Sequence, residues 1–282
     1  MKLARFADGG TTGLGVVFDD AIAPLSGMGI DITEMIALIE AGPELLARIA
    51  AALADAPRRP LSEVRLLAPL RPRKFLAIGM NYRRHLEEAR ALGIAVPDAQ
   101  VWFNKQTSCV NGPYDPVSKG VTEKLDYEVE LGLVIGAPAK SVTVEHAMDH
   151  VFGYLVVNDV SARDWQMHSQ TMTMGKSFDT HGPIGPWIVT ADEIPDPHAL
   201  DLRCLINGEV RQSSNTEQLI HRIPEQIAYL STAFTLEPGD ILSTGTPEGV
   251  GAARQPPAFL VPGDVMRCEI EAIGAIENPI VA

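Results

Sequence analysis

The chain has 282 residues, 46% of them apolar and 21% charged, a composition that belongs to a folded globular protein and not to a disordered one. Its 23 basic residues face 36 acidic ones, for a net charge of −13, which excludes general affinity for nucleic acid or for an anionic membrane surface and leaves room only for a local basic pocket. Cys109, Cys204 and Cys268 are odd in number and widely spaced, Met1–Asp8 carries no apolar leader, and no apolar run reaches the roughly 18–20 residues of a spanning helix, so a cytoplasmic protein without a disulfide or zinc framework is expected.

Short strands broken by glycine are predicted at Lys2 to Phe6, Gly15 to Phe18 and Ala21 to Pro24. Asp31, with Glu34 three places on, predicts a capped helix start, and the helical pattern runs to Gly42-Pro43 before a second helix from about Glu44 to Ala54. Prolines 57, 60, 69 and 72 mark a linker, and a boundary is placed near residue 70, giving a small N-terminal domain at 1–70 and a larger one at 71–282.

Beyond the linker the texture changes to apolar strands separated by turns. Strands are predicted at Phe75 to Gly79, Phe152 to Val157, Trp187 to Val189, Leu202 to Ile206, Ile241 to Thr244 and Val265 to Ile270, with a hairpin at Asn207-Gly208. Helices are expected at Val144 to His150 and within Thr216 to Phe234, where Pro224 begins or kinks the later part. Many strands, few helices and no regular βαβ alternation predict an α+β fold with a large mixed sheet rolled into a sandwich or barrel.

The most informative stretch is Asp126-Tyr127-Glu128-Val129-Glu130. A period of two predicts a half-buried strand with Asp126, Glu128 and Glu130 on one face. Carboxylates so close repel one another unless positive charge sits among them, and an all-oxygen set suits Mg2+, Mn2+ or Ca2+ better than zinc. The other reading is a solvated face with a chance run of acids.

Other residues hold a functional and a plain reading side by side. Asp159 ends an apolar strand, as a site residue or as a helix N-cap. Arg163 and Lys176 could give charge-assisted bonds to a carboxylate or oxyanion, or make ordinary surface pairs. His85 and Glu88, three apart, form an oriented imidazole or a surface contact. The turn Thr244 to Gly251 does not fit a dinucleotide fingerprint but can present Thr246 and backbone N–H groups to a small ligand. His146 and His150 lack a third ligand and read as helix surface.

Taken in order, Gly79-Met80-Asn81-Tyr82 with His85, the acids at 126–130, Asn158-Asp159 through Arg163 to Gln166, Gly175-Lys176-Ser177-Phe178, Gly182 to Trp187, Asn207-Gly208-Glu209 and Pro238-Gly239-Asp240 leading to Thr244–Pro247 resemble the fumarylacetoacetate hydrolase family from about Lys74 onward. The resemblance implies a mixed β-roll, a homodimer, and one divalent cation (Mg2+ or Mn2+) held by Glu128, Glu130 and Asp159, with Asp126 just outside the ligand set. It further implies His85 with Glu88 as the water-activating pair, Lys176 as the oxyanion donor, and Arg163, Gln166 and Thr246 facing a small 2-oxo or β-diketo acid. The expected activity is metal-dependent hydrolysis of a C–C bond in an acylpyruvate-like acid. A decarboxylase or 2-hydroxydienoate isomerase is the alternative, and a ureidoglycolate-lyase-like enzyme or a non-catalytic anion binder stands behind both.

Overall fold

Glycine and proline punctuation becomes strand ends in the computed structural model, which describes every residue except 92, 94 and 97. Among the described residues a 12-stranded mixed sheet forms the backbone of the molecule. From its N-terminal edge it runs through Thr11–Phe18, Lys2–Asp8, Gly182–Thr190, Val151–Asn158, Val129–Ile135, Ile241–Ser243 and Phe75–Gly79 to Val101–Lys105. A five-stranded sheet faces it, ordered Glu209–Asn215, Asp201–Ile206, Val265–Ile270, Gly274–Val281 and Val117–Ser118. No helix among the described residues is long and apolar enough to cross a membrane.

Strand Val129–Ile135 is buried along its whole length because both of its faces are covered. Leu131, Leu133 and Ile135 pack with Leu202, Met266 and Cys268 of the facing sheet. Val134 points the other way, onto a cluster that includes Leu155, Val157, Leu38 and Ile49, the last two from helices Met35–Glu40 and Gly42–Ala52. Each such aliphatic side chain stabilises the fold by about 1.5–3 kcal/mol. Gly132 permits the close approach: a β-carbon there would lie 2.5 Å from Val157 Cγ2 and 2.7 Å from Leu155 Cδ1.

The N-terminal residues are built into the large sheet, with Lys2 and Leu3 paired to Val189 and Ile188. Leu3, Leu14 and Val16 share one cluster with Ile184 and Ile241.

Several local expectations need correction. The first helix begins at Met35 with Glu34 as its N-cap and no side-chain cap, so Asp31 does not cap it. Asp31 lies in the irregular segment between buried Ile30 and buried Met35. Val144–His150 is a 3-10 helix, so His146 and His150 do not stack on one face; His146 sits near Asp149 and His150 near the Ala137 carbonyl. Pro224 opens helix Ile223–Ala233 at its first turn, the first of the two roles expected of it. Strands Val101–Lys105 and Gly274–Val281 join the sheets without having been expected.

Candidate active site

The acidic stretch is not one regular strand. Leu125–Asp126 pairs with Ser161–Ala162, while Val129–Ile135 pairs with Val151–Asn158, and the chain bends between them. Asp126 causes the bend: its Oδ1 accepts from Tyr127 N at 2.9 Å and from Gly251 N at 2.7 Å. Its Oδ2 accepts from Ala252 N at 3.0 Å and Arg163 Nε at 2.8 Å. The expectation of Asp126, Glu128 and Glu130 on one face therefore gives way to a split, with Asp126 turned toward Arg163 and the 251–252 turn. The Glu128 carbonyl accepts from Asp159 N at 2.9 Å, which brings the end of strand Val151–Asn158 beside the acids.

One oxygen each from Glu128, Glu130 and Asp159 lies within 4.8 Å of the other two, and all three residues are buried. Arg163 Nη2 donates to Glu128 Oε1 at 2.6 Å. Lys176 Nζ bridges Glu128 Oε2 at 2.6 Å and Asp159 Oδ2 at 2.7 Å. Neither cation makes an ordinary surface pair, since their side chains are only 14% and 3% exposed. Asp159 spends its oxygens on lysines and is no helix cap. Gly175 lets the lysine turn pack onto the arginine helix, because a β-carbon there would lie 2.3 Å from Gln166 Cα.

Burial alone would push Glu128 up, but Arg163 and Lys176 outweigh it and hold the carboxyl at about 2. Glu130 goes the other way: burial and the neighbouring charges of Asp159 and Glu128 raise it well above the usual range. Its partners are neutral donors, Ser243 Oγ at 2.6 Å and Gly245 N at 2.9 Å. Glu130 is thus the acid of the trio to which no lysine or arginine bonds, and added positive charge would be most favourable beside it. A buried, all-oxygen donor set with that deficit fits a hard divalent cation.

A cavity of about 560 Å³ opens above these acids, with Glu128, Glu130, Arg163, Lys176, His85 and Glu88 among its lining residues. Met80, Val101, Phe103, Met172 and Val250 supply its apolar lining, with the Phe103 ring 5.1 Å from Lys176 Nζ. His85 and Glu88 stand on helix Arg83–Ala91, with Nδ1 of the histidine 3.1 Å from Glu88 Oε2. An ionised carboxylate only accepts, so this bond places the proton on Nδ1 and leaves Nε2 free to exchange one. Glu88 Oε1 accepts from Gly249 N at 3.0 Å, tying the pair to the glycine-rich turn. A wider cleft of about 890 Å³ across Trp187, Arg203 and Arg267 lies elsewhere, and its arginines are already paired with Glu269.

Gln166 and Thr246 also line the cavity. Gln166 Oε1 accepts from Arg163 Nη1 at 3.1 Å, which orients the guanidinium. Thr246 donates its only hydroxyl proton to the Val129 carbonyl at 3.0 Å and accepts from Gln212 Nε2 at 2.8 Å, so toward a ligand it can act only as an acceptor. Lys105, absent from the sequence reading, is fully buried and donates to Asp159 Oδ1 at 2.6 Å. The signal was alternation: Val101, Phe103 and Lys105 share the inward face of a strand, and a lysine at an inward position needs an acid.

Buried carboxylates and buried cations lie around one cavity with a histidine–glutamate pair, and the oxygen donor set suits a divalent cation. The fumarylacetoacetate hydrolase C-terminal family model matches residues 74–281, and an Rv2993c-like N-terminal model matches residues 1–69. The chain belongs to the fumarylacetoacetate hydrolase family. It is similar to a mitochondrial oxaloacetate tautomerase of Xenopus laevis, 48% identical over 224 residues, which are 78% of this chain and 69% of that protein. A fumarylacetoacetate hydrolase structure from Exiguobacterium antarcticum aligns over 100% of this chain and 99% of its own with a TM-score of 0.90 and 36% identity. A maleylpyruvate hydrolase from Sphingobium sp. SYK-6, in complex with manganese(II) and pyruvate, aligns over the same shares with a TM-score of 0.83 and 36% identity.

Proposed function

We propose that this protein is a divalent-cation-dependent enzyme that moves a proton between the enol and keto forms of a short 2-oxo acid, with oxaloacetate as the first substrate to test. The observation that carries the reading is the buried trio Glu128, Glu130 and Asp159 at the floor of a cavity whose lining includes Glu128, Glu130 and His85. It is supported by the 48% identity to an oxaloacetate tautomerase. Glu128, Glu130 and Asp159 would hold Mg2+ or Mn2+, and when bound the cation supplies Lewis acidity that favours the enol form of a 2-oxo acid.

The protein's own groups do the rest. Lys176 and Arg163 bind and orient the substrate carboxylate, with Gln166 fixing the guanidinium. His85 takes and returns the proton at Nε2, while Glu88 holds its tautomer through Nδ1. The apolar wall around Phe103 and Met172 excludes water from the reacting carbons.

Hydrolysis of a C–C bond in an acylpyruvate-like acid is the second reading. It is favoured by the 36% identity to a maleylpyruvate hydrolase and by the same free Nε2, which could take a proton from water. The deciding experiment follows three reactions with and without chelator: enol-to-keto conversion of oxaloacetate by ultraviolet absorbance, its decarboxylation, and cleavage of maleylpyruvate and acylpyruvates. Metal-dependent tautomerisation that outruns cleavage by about 10-fold or more in kcat/KM supports the first reading. The reverse ranking replaces it with the second, and no metal-dependent turnover of any of them removes both.

A further inference from the structure

Lys105 sits behind the candidate metal ligands, out of the substrate's reach. Its side chain is fully buried, and it is absent from the lining of the 560 Å³ cavity. Its ammonium finds Asp159 Oδ1 at 2.6 Å, the Lys176 carbonyl at 2.5 Å and the Val160 carbonyl at 3.4 Å. Three N–H donors therefore meet three acceptors. Burying such a charge is costly until its partners offset it, and an apolar side chain would fill the space without that cost. Filling space is therefore a poor account of why a lysine stands there.

We propose that Lys105 is a positioning residue that sets the charge of the site and the placement of Lys176, a role that rests on the metal-and-oxo-acid reading above. Its bond commits Asp159 Oδ1, so that Oδ2 is the oxygen turned toward Lys176 and Glu128. Its second bond pins the Lys176 carbonyl, and so fixes the turn that carries the other ammonium. Its charge completes the local balance. On the cavity floor, with all four carboxylates ionised as they are when a cation is held, Asp126, Glu128, Glu130 and Asp159 face Arg163, Lys176 and Lys105, an excess of one negative charge before the cation is counted. With a dication the site becomes singly positive and attracts an anionic acid. Without Lys105 the same loaded site is neutral, and the anion loses its pull while the cation does not.

The test is a split between two ligands, read by Mn2+ titration with electron paramagnetic resonance and by oxalate calorimetry on the Mn2+-loaded protein, in wild type, K105M and K105Q. Oxalate affinity should fall about 10-fold or more in both variants, while Mn2+ affinity stays within about threefold or tightens. K105Q keeps an N–H donor without the charge, so a wild-type oxalate affinity in K105Q overturns the charge role. Equal losses of Mn2+ and oxalate, or no loss of either, overturn the proposal outright. Failure of both variants to fold, even with excess Mn2+, does the same by making Lys105 purely structural. Wild-type protein that takes up no Mn2+ would sink the functional reading itself, and this proposal with it.

Discussion

The floor and the flank of the cavity are built differently. On the floor Glu128, Glu130 and Asp159 are 4%, 1% and 0% exposed, and their oxygens are held by lysine, arginine, a serine hydroxyl and backbone N–H groups. On the flank the His85 and Glu88 side chains are 16% and 27% exposed and are held by one contact to each other and one to Gly249. The floor is organised before any ligand arrives, whereas the flank is free to adjust. On the proposed reading that contrast would separate binding of the acid, which falls to the floor, from choice of the reaction, which falls to the flank.

The largest effect should come from breaking the floor. Asp159→Asn removes the charge that faces both Lys105 and Lys176, leaving two buried ammoniums short of a partner. Urea unfolding should show a loss of about 3–5 kcal/mol. Turnover of 2-oxo acids should drop about a thousandfold or more, because the cation's contribution is worth several kcal/mol. A variant with Mn2+ affinity and activity close to wild type would erase the distinction between floor and flank.

Next in size is the flank itself. His85→Ala removes the group with the free nitrogen and should lower kcat by about a hundred- to a thousandfold. Mn2+ affinity should hold within about threefold, since no candidate ligand is touched. If metal binding falls in step with activity, the two regions are not independent.

These contrasts were only partly legible in the sequence. The buried strands were readable because Leu131, Leu133 and Val134 form an apolar run too long for a wet edge. The acids at 128, 130 and 159 were readable as a group only through the ordered motifs, for spacing alone left a solvated face open. The bend at Asp126 was not, because it depends on N–H groups at 251 and 252, some 125 residues away. Lys105 was invisible while strand Val101–Lys105 went unassigned, because apolar Trp102 on the other face and a lysine on the inward one blur the alternation. Asp31 misled because it stands four residues ahead of Met35, where the helix starts without a side-chain cap.

A smaller effect lies behind the floor. His181 is buried, stacked on Phe178 at 5.2 Å, with Nε2 on the Ser118 carbonyl at 2.9 Å. Burial pushes it down to about 4 from 6.5, so the folded protein resists taking up its proton. The unfolded chain binds that proton more readily. His181 therefore contributes stability that is present above pH 6.5 and is lost as pH falls from 6.5 toward 4. The total is on the order of 3 kcal/mol, at about 1.4 kcal/mol per pH unit. Denaturant unfolding at pH 7.5 and 5 should show the drop in wild type and a smaller one in His181→Phe; equal drops would assign the slope to other groups.

The finest test separates two ways the flank could work. Glu88 accepts from His85 through Oε2 and from Gly249 N through Oε1, and Glu88→Gln cannot keep both bonds unchanged. If the amide oxygen stays on Gly249, the NH2 group faces Nδ1 and forces the proton onto Nε2, so the imidazole can no longer accept there. The kcat should then fall about 10-fold or more with KM unchanged. If the amide turns over, the histidine keeps its tautomer and the NH2 opposes the Gly249 N–H, which loosens the turn carrying Val250 against the cavity. KM should then rise by a similar factor while kcat holds. An unchanged kcat and KM would mean that Glu88 orients nothing and that the flank acts through His85 alone.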